Sequence, residues 1–151
     1  MPKKPNVLII EWDEMRADCT GYAGHKRVKT PNLDKLAAYS YNFSDHHTVS
    51  PVCAPSRHAF FTSKYPHITG TPGGNMPLQP GEKYWPQIMA ENGYLTACCG
   101  KLHHTPTNQP YGFKIAQITD SRNSSNAWIK WIEDQGLDYH NNKYMAFNES
   151  E

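Results

Sequence analysis

The chain has 151 residues, with 15 basic against 14 acidic side chains and a net charge of +1. Lys and Arg are not clustered, so neither a nucleic-acid nor a membrane-surface footprint is expected. A hydrophobic share of 38%, 12 prolines and 10 glycines describe one soluble domain, or a piece of one, rich in turns and unlike a helical bundle.

The first apolar run, residues 7–10, is shorter than the roughly 7–15 residues of a secretory core and leads straight into Glu11, Trp12, Asp13 and Glu14. No stretch approaches the ~20 apolar residues of a spanning helix. A cytoplasmic location is the resulting expectation. Residues 6–10 read as a buried parallel strand with functional side chains at its end. Thr30 offers an N-cap and Pro31 a first helical residue, with Leu33, Leu36 and Ala37 at helical spacing for a helix of about ten residues.

Residues 41–47 suggest a short strand, and Pro55 and Ser56 can open a second helix running through Ala59, Phe60 and Phe61. Prolines and glycines make residues 65–82 a loop. A helix is expected over residues 84–92, stopped by Gly93. Residues 94–99 read as the next buried strand, followed by Lys101, His103 and His104. Weak periodicity makes residues 105–125 mostly loop, and residues 127–135 form a helix stopped by Gly136. The tail from Leu137 is polar and expected to be poorly ordered. Strands that alternate with helices and end in polar residues describe an α/β sheet with a site along its carboxyl edge.

Four cysteines are present, at 19, 53, 98 and 99. The adjacent pair does not suit a disulfide framework, and Cys19, Cys98 and Cys99 read as small packed thiols. Cys53 stands in a different context: Cys53, Ala54, Pro55, Ser56 and Arg57 spell Cys-x-Pro-x-Arg. Around it, in order, lie residues 5–10 leading to Asp13 and Glu14, the run Thr-Pro-Asn-Leu-Asp at 30–34, Gly-Tyr-x-Thr at 93–96 and Gly-Lys-x-His at 100–103.

These ordered motifs resemble the N-terminal part of the formylglycine-dependent sulfatases. The resemblance implies an alkaline phosphatase-like α/β fold, a central sheet flanked by helices, of which residues 1–151 would be the N-terminal part with the C-terminal part absent. It also implies oxidation of Cys53 to formylglycine by a maturation enzyme. The hydrated aldehyde carries two hydroxyls on one carbon, so one can attack the sulfur of a sulfate ester and the other can expel sulfate afterwards.

The remaining roles follow from the same resemblance. Arg57 would hold the hydrate and a sulfate oxygen with fixed donors. Asp13 and Glu14 would bind a divalent cation, calcium above all, which also binds the group made from Cys53. Glu14 departs from the commoner Asp-Asp pattern, and Glu11 and Asp18 read as structural. Lys101 would bind the sulfate, and His103 would act as general base during its expulsion. In an extended segment these two point to one side. His104 remains an alternative to His103. A zinc site using Cys98, Cys99, His103 and His104 matches no standard spacing.

Sulfatases are considerably longer, and their second half supplies further metal and sulfate ligands. The short chain is therefore expected to be inactive alone, and its half-sheet to carry an open edge. The implied substrate is a small-molecule or carbohydrate sulfate ester. Two other readings stand beside it: a phosphonate monoester or phosphodiester hydrolase of the same superfamily, and a non-catalytic truncated protein that has kept only the fold.

Overall fold

A computed structural model describes residues 4–74, 76–107, 109–120 and 127–137. It falls into two compact units, Met1–His47 and Thr48–Glu151. None of its helices is long and apolar enough to cross a membrane, among the described residues.

The first unit is organised around α1, Pro31–Ala38. Pro31 sits in its first turn, where a missing N–H costs nothing. Thr30 occupies the N-cap position but makes no side-chain cap. Its hydroxyl instead accepts from the Gly21 N–H and donates to the Asp34 carboxylate, both at 2.8 Å. Asp34 also accepts the Tyr22 N–H at 2.8 Å. The loop before the helix is thereby pinned onto its first turn. Gly21 has to be glycine, because a Cβ there would lie 2.3 Å from the Asp34 carboxylate.

Two expectations fail in this unit. Residues 6–10 are not a strand, and Val7, Leu8, Ile9 and Ile10 are exposed. Residues 41–47 are not a strand either, and Tyr41 and Phe43 are largely open to solvent. A strand exists by virtue of its ladder, and among the described residues no neighbour pairs with these segments. Of the three apolar helix positions, Leu33 and Ala37 are half-buried while Leu36 faces out.

The second unit holds the core. Its spine is α2, Cys53–Thr62, which starts two residues earlier than expected. Proline is tolerated there because first-turn amides lack intrahelical partners in any case. The presumed loop after it contains a short helix, α3, Pro66–Thr69, framed by Pro66 in its first turn and Gly70 at φ +70°. Helix α4, Trp85–Glu91, agrees with expectation, and Gly93 follows it at φ +80°.

Strand β1, Ala97–Gly100, pairs in parallel with β2, Ile115–Ile118, in the register Ala97 to Ile115 through Gly100 to Ile118. The second strand lies where a loop was expected. Its pairing depends on Thr96, whose hydroxyl donates to the Gly112 carbonyl and accepts the Lys114 N–H. Gly112 lies against α4: a Cβ would come within 2.4 Å of the Gln87 nitrogen, at φ +88°. Burial alternates along both strands, with Cys98, Ala116 and Ile118 packed on the core and Ala97, Cys99 and Ile115 exposed. The expected fully buried strand is thus covered on one face only.

Helix α5, Ala127–Asp134, ends the described chain, burying Ile129 and Ile132 and stacking Trp128 on Trp131 outside. The polar tail beyond Leu137 lies outside the described residues. The core joins Phe61, Tyr84, Leu102 and Phe113, with Phe61 stacked on Trp85 at 5.5 Å.

Candidate active site

In the second unit, helix α2 carries Cys53 in its first turn and Arg57 one turn later. Positions i and i+4 share a helix face. Cys53 is half-buried and its thiol is free. The N-terminal end of a ten-residue helix places positive partial charge near it.

Arg57 is only 5% exposed, and its Nη1 donates to the Lys101 carbonyl at 2.6 Å. A guanidinium that deep needs its charge and donors met by hydrogen bonds. The bond crosses 44 residues of sequence and joins the Cys-x-Pro-x-Arg helix to the loop that leaves β1. Two of the sequence motifs are brought together here by one side chain.

That loop alternates in burial. Lys101 and His103 are half-exposed, while Leu102 and His104 are buried. His103 has a left-handed backbone, φ +54°. His104, the alternative to His103, faces the interior. Its ring packs edge-on against His58 at 4.6 Å and Phe61 at 5.0 Å, beside Tyr84 and Tyr111. Both its ring nitrogens are buried without hydrogen-bond partners. Burial, with smaller contributions from His58, Arg57 and His103, drives its pKa down to about 3. His58 is lowered in the same way, first by burial and then by His103. A ring so held is a neutral core residue and not an accessible base. The sequence offered no warning of this aromatic cage, since its members come from α2, the start of α4 and the β1–β2 connection.

In the first unit, Asp13 and Glu14 are adjacent and exposed on a turn, with Glu14 at φ +55°. Among the described residues four non-glycines have positive φ, and Glu14 and His103 are two of them. Such conformations cost energy and concentrate at functional positions. Carboxylate oxygens suit a hard cation, but calcium takes about 6–8 oxygen ligands. Among the described residues no three His, Cys, Asp or Glu side chains gather to hold a metal. The residues present do not complete such a centre, and no chemical step is routed through one.

The Sulfatase family model matches residues 5–149. The chain is 34% identical to an ulvan-active sulfatase of Formosa agariphila, over 97% of this chain and 30% of that protein. It is 31% identical to human steryl-sulfatase, over 79% of this chain and 25% of that protein. Among solved structures it resembles the phosphonate monoester hydrolase of Agrobacterium radiobacter, with a TM-score of 0.74 and 26% identity over 88% of this chain and 29% of the other. It also resembles Ps i-CgsB in complex with k-i-k-neocarrahexaose, with a TM-score of 0.63 and 30% identity over 83% of this chain and 32% of the other. The chain therefore spans about a third or less of the length of each of these proteins.

Proposed function

The chain belongs to the sulfatase family, and from that premise we propose that it serves a sulfuric ester hydrolase whose nucleophile arises from Cys53. The carrying observation is the Arg57 to Lys101 hydrogen bond, which holds the cysteine helix and the Gly-Lys-x-His loop in one frame. Conversion of Cys53 to formylglycine, by a separate maturation enzyme, would supply a hydrated aldehyde able to attack sulfur and then release sulfate.

Arg57 orients: its Nη1 holds the main chain of Lys101, so the lysine and the half-buried residue 53 keep a constant relation as substrate arrives. The half-exposed Lys101 offers its ammonium to a sulfate oxygen, a point charge with three donors. His103, partly exposed where His104 is buried, takes the proton as sulfate leaves. The end of α2 favours the anion that these groups surround. A divalent cation, calcium on the family pattern, belongs to this reading with Asp13 and Glu14 as two of the oxygen donors it needs.

A carbohydrate sulfate is the favoured substrate class, supported by the likeness to an ulvan-active sulfatase and to Ps i-CgsB with its bound neocarrahexaose. Phosphonate monoester hydrolysis is the second reading, favoured by the 0.74 TM-score to the Agrobacterium enzyme.

The test has two stages. In protein isolated from its native source, the peptide containing Cys53 should be lighter than its thiol form by the change from thiol to aldehyde. Aryl sulfate and aryl phosphonate are then assayed in parallel on the full-length protein, with its Cys53→Ala variant beside it. Sulfate turnover that vanishes in Cys53→Ala fits the proposal. Undiminished turnover in that variant overturns it, and faster phosphonate turnover transfers the assignment to the second reading.

A further inference from the structure

A cleft of about 470 Å³ opens in the first unit, lined by Asp18, Ala23, Gly24, His25, Lys26 and Arg27. Its walls are set by short-range hydrogen bonds. Thr20, fully buried, accepts the Ala23 N–H at its hydroxyl and the His25 N–H at its carbonyl. Gly24 donates back to the Gly21 carbonyl, and its φ of +87° turns the chain at the cleft. Gly21 and Tyr22 are in turn held by Thr30 and Asp34 of the α1 start. The loop is therefore ordered before any ligand arrives.

The lining of this cleft is rich in donors suited to an anion. His25 Nδ1 accepts the N–H groups of Arg27 at 3.3 Å and Val28 at 2.9 Å. An acceptor at Nδ1 leaves the ring proton on Nε2, so the other nitrogen of His25 is a donor. The one carboxylate of the cleft is already engaged: Asp18 is gripped by Arg16 at 2.6 and 3.0 Å, and that guanidinium holds the carboxyl below its ordinary range. Lys26 and Arg27, by contrast, have no carboxylate partner among the described residues, whereas Lys64, Lys83 and Lys130 each have one. Two unpaired cations and a fixed imidazole donor therefore share one preformed concavity.

We propose that this cleft is an anion site of the first unit that takes a sulfate or carboxylate group of a polyanionic saccharide. The proposal rests on the carbohydrate-sulfate reading, which supplies the polyanion, and concerns the first unit alone. Arg27 contributes a planar fork suited to a tetrahedral or planar oxyanion, Lys26 a mobile point charge, and His25 a directional donor. A ligand bearing several such groups gains from them more than one bearing a single sulfate.

The experiment compares the parent chain with Lys26→Gln/Arg27→Gln. Both side chains are exposed, and matching circular dichroism verifies the fold of the variant. Calorimetric titration uses two probes: a sulfated galactan hexasaccharide with several sulfates, and 4-nitrophenyl sulfate with one. The expected result is at least tenfold weaker hexasaccharide binding in the variant, with a reduced dependence on salt and a smaller loss for the monosulfate. In the parent, inorganic sulfate should shift the amide resonances of residues 25–27. Equal hexasaccharide affinity in both chains, or sulfate shifts confined to other residues, overturns the subsite and leaves the proposed function standing. A parent that binds neither probe also overturns the anion site, while the proposed function stands or falls on the Cys53 test above.

Discussion

His104 shows how one side chain can look catalytic in sequence and be structural in the fold. It follows a candidate base, yet lies 2% exposed among His58, Phe61, Tyr84 and Tyr111, with Arg57 and His103 nearby as cationic or ionisable neighbours. The sign of its effect on stability can be worked out. Its pKa in the fold is about 3, below the ordinary value of 6.5, and that of His58 is also lowered. Above pH 6.5 both states are neutral and the cage keeps its full stability. As pH falls below 6.5 the unfolded chain takes up protons that the folded one refuses, so stability declines until the folded ring itself titrates. For one such group the slope approaches about 1.4 kcal/mol per pH unit. Urea midpoints measured at pH 7.5, 6 and 5 should fall steadily for the parent and fall less for His104→Leu. The variant should also equal or exceed the parent at pH 7.5, because its two unpartnered nitrogens are gone. An identical pH dependence in both proteins would rule the cage out as the cause.

At the scale of elements, Arg57 is the link between α2 and the segment leaving β1. Arg57→Ala would strip a charge-assisted hydrogen bond from a part-buried carbonyl and leave a void, costing about 2–4 kcal/mol. Amide exchange should quicken in residues 100–105 and at the start of α2, while α5 keeps its protection; uniform loss across all helices would mean Arg57 is mere packing. Helices α1, α2, α4 and α5 were readable from local chemistry, whereas α3 lies in the segment expected to be loop. Pro31, Pro86, Gly93 and Gly136 mark starts and stops close to where α1, α4 and α5 lie. Strand β2 was not readable, because residues 115–118 become a strand only through Thr96 and the ladder to β1, a pairing no local window contains. The strand expected at residues 6–10 failed for the complementary reason: its apolar run is real, but among the described residues nothing pairs with it. The candidate site divides along the same line. Cys53 and Arg57 were legible as a helical i, i+4 pair, whereas the inward turn of Arg57 depends on where the β1 loop passes.

For the molecule as a whole, the two units differ in what holds them. Every buried hydrophobic side chain described belongs to the second unit, from Ala54 to Ile132. The first unit has no buried hydrophobic residue among those described, and its order comes from hydrogen bonds around Thr20, Thr30 and Asp34. Single hydrogen bonds stabilise weakly, each giving about 0.5–1.5 kcal/mol, while burial of apolar area supplies most of the free energy of folding. Local opening should therefore be frequent before residue 48 and rare within α2, α4 and β1. Limited proteolysis followed by mass measurement should find the earliest cuts between residues 4 and 19, where the chain is extended or turning and every side chain but that of Cys19 is exposed. A resistant product beginning near residue 48 should then persist. First cuts inside Cys53–Thr62 or Trp85–Glu91 would contradict this ordering. The same difference bears on the proposed function, in which Cys53 and Arg57 rest on a packed core while the carboxylates at 13 and 14 lie on an exposed turn.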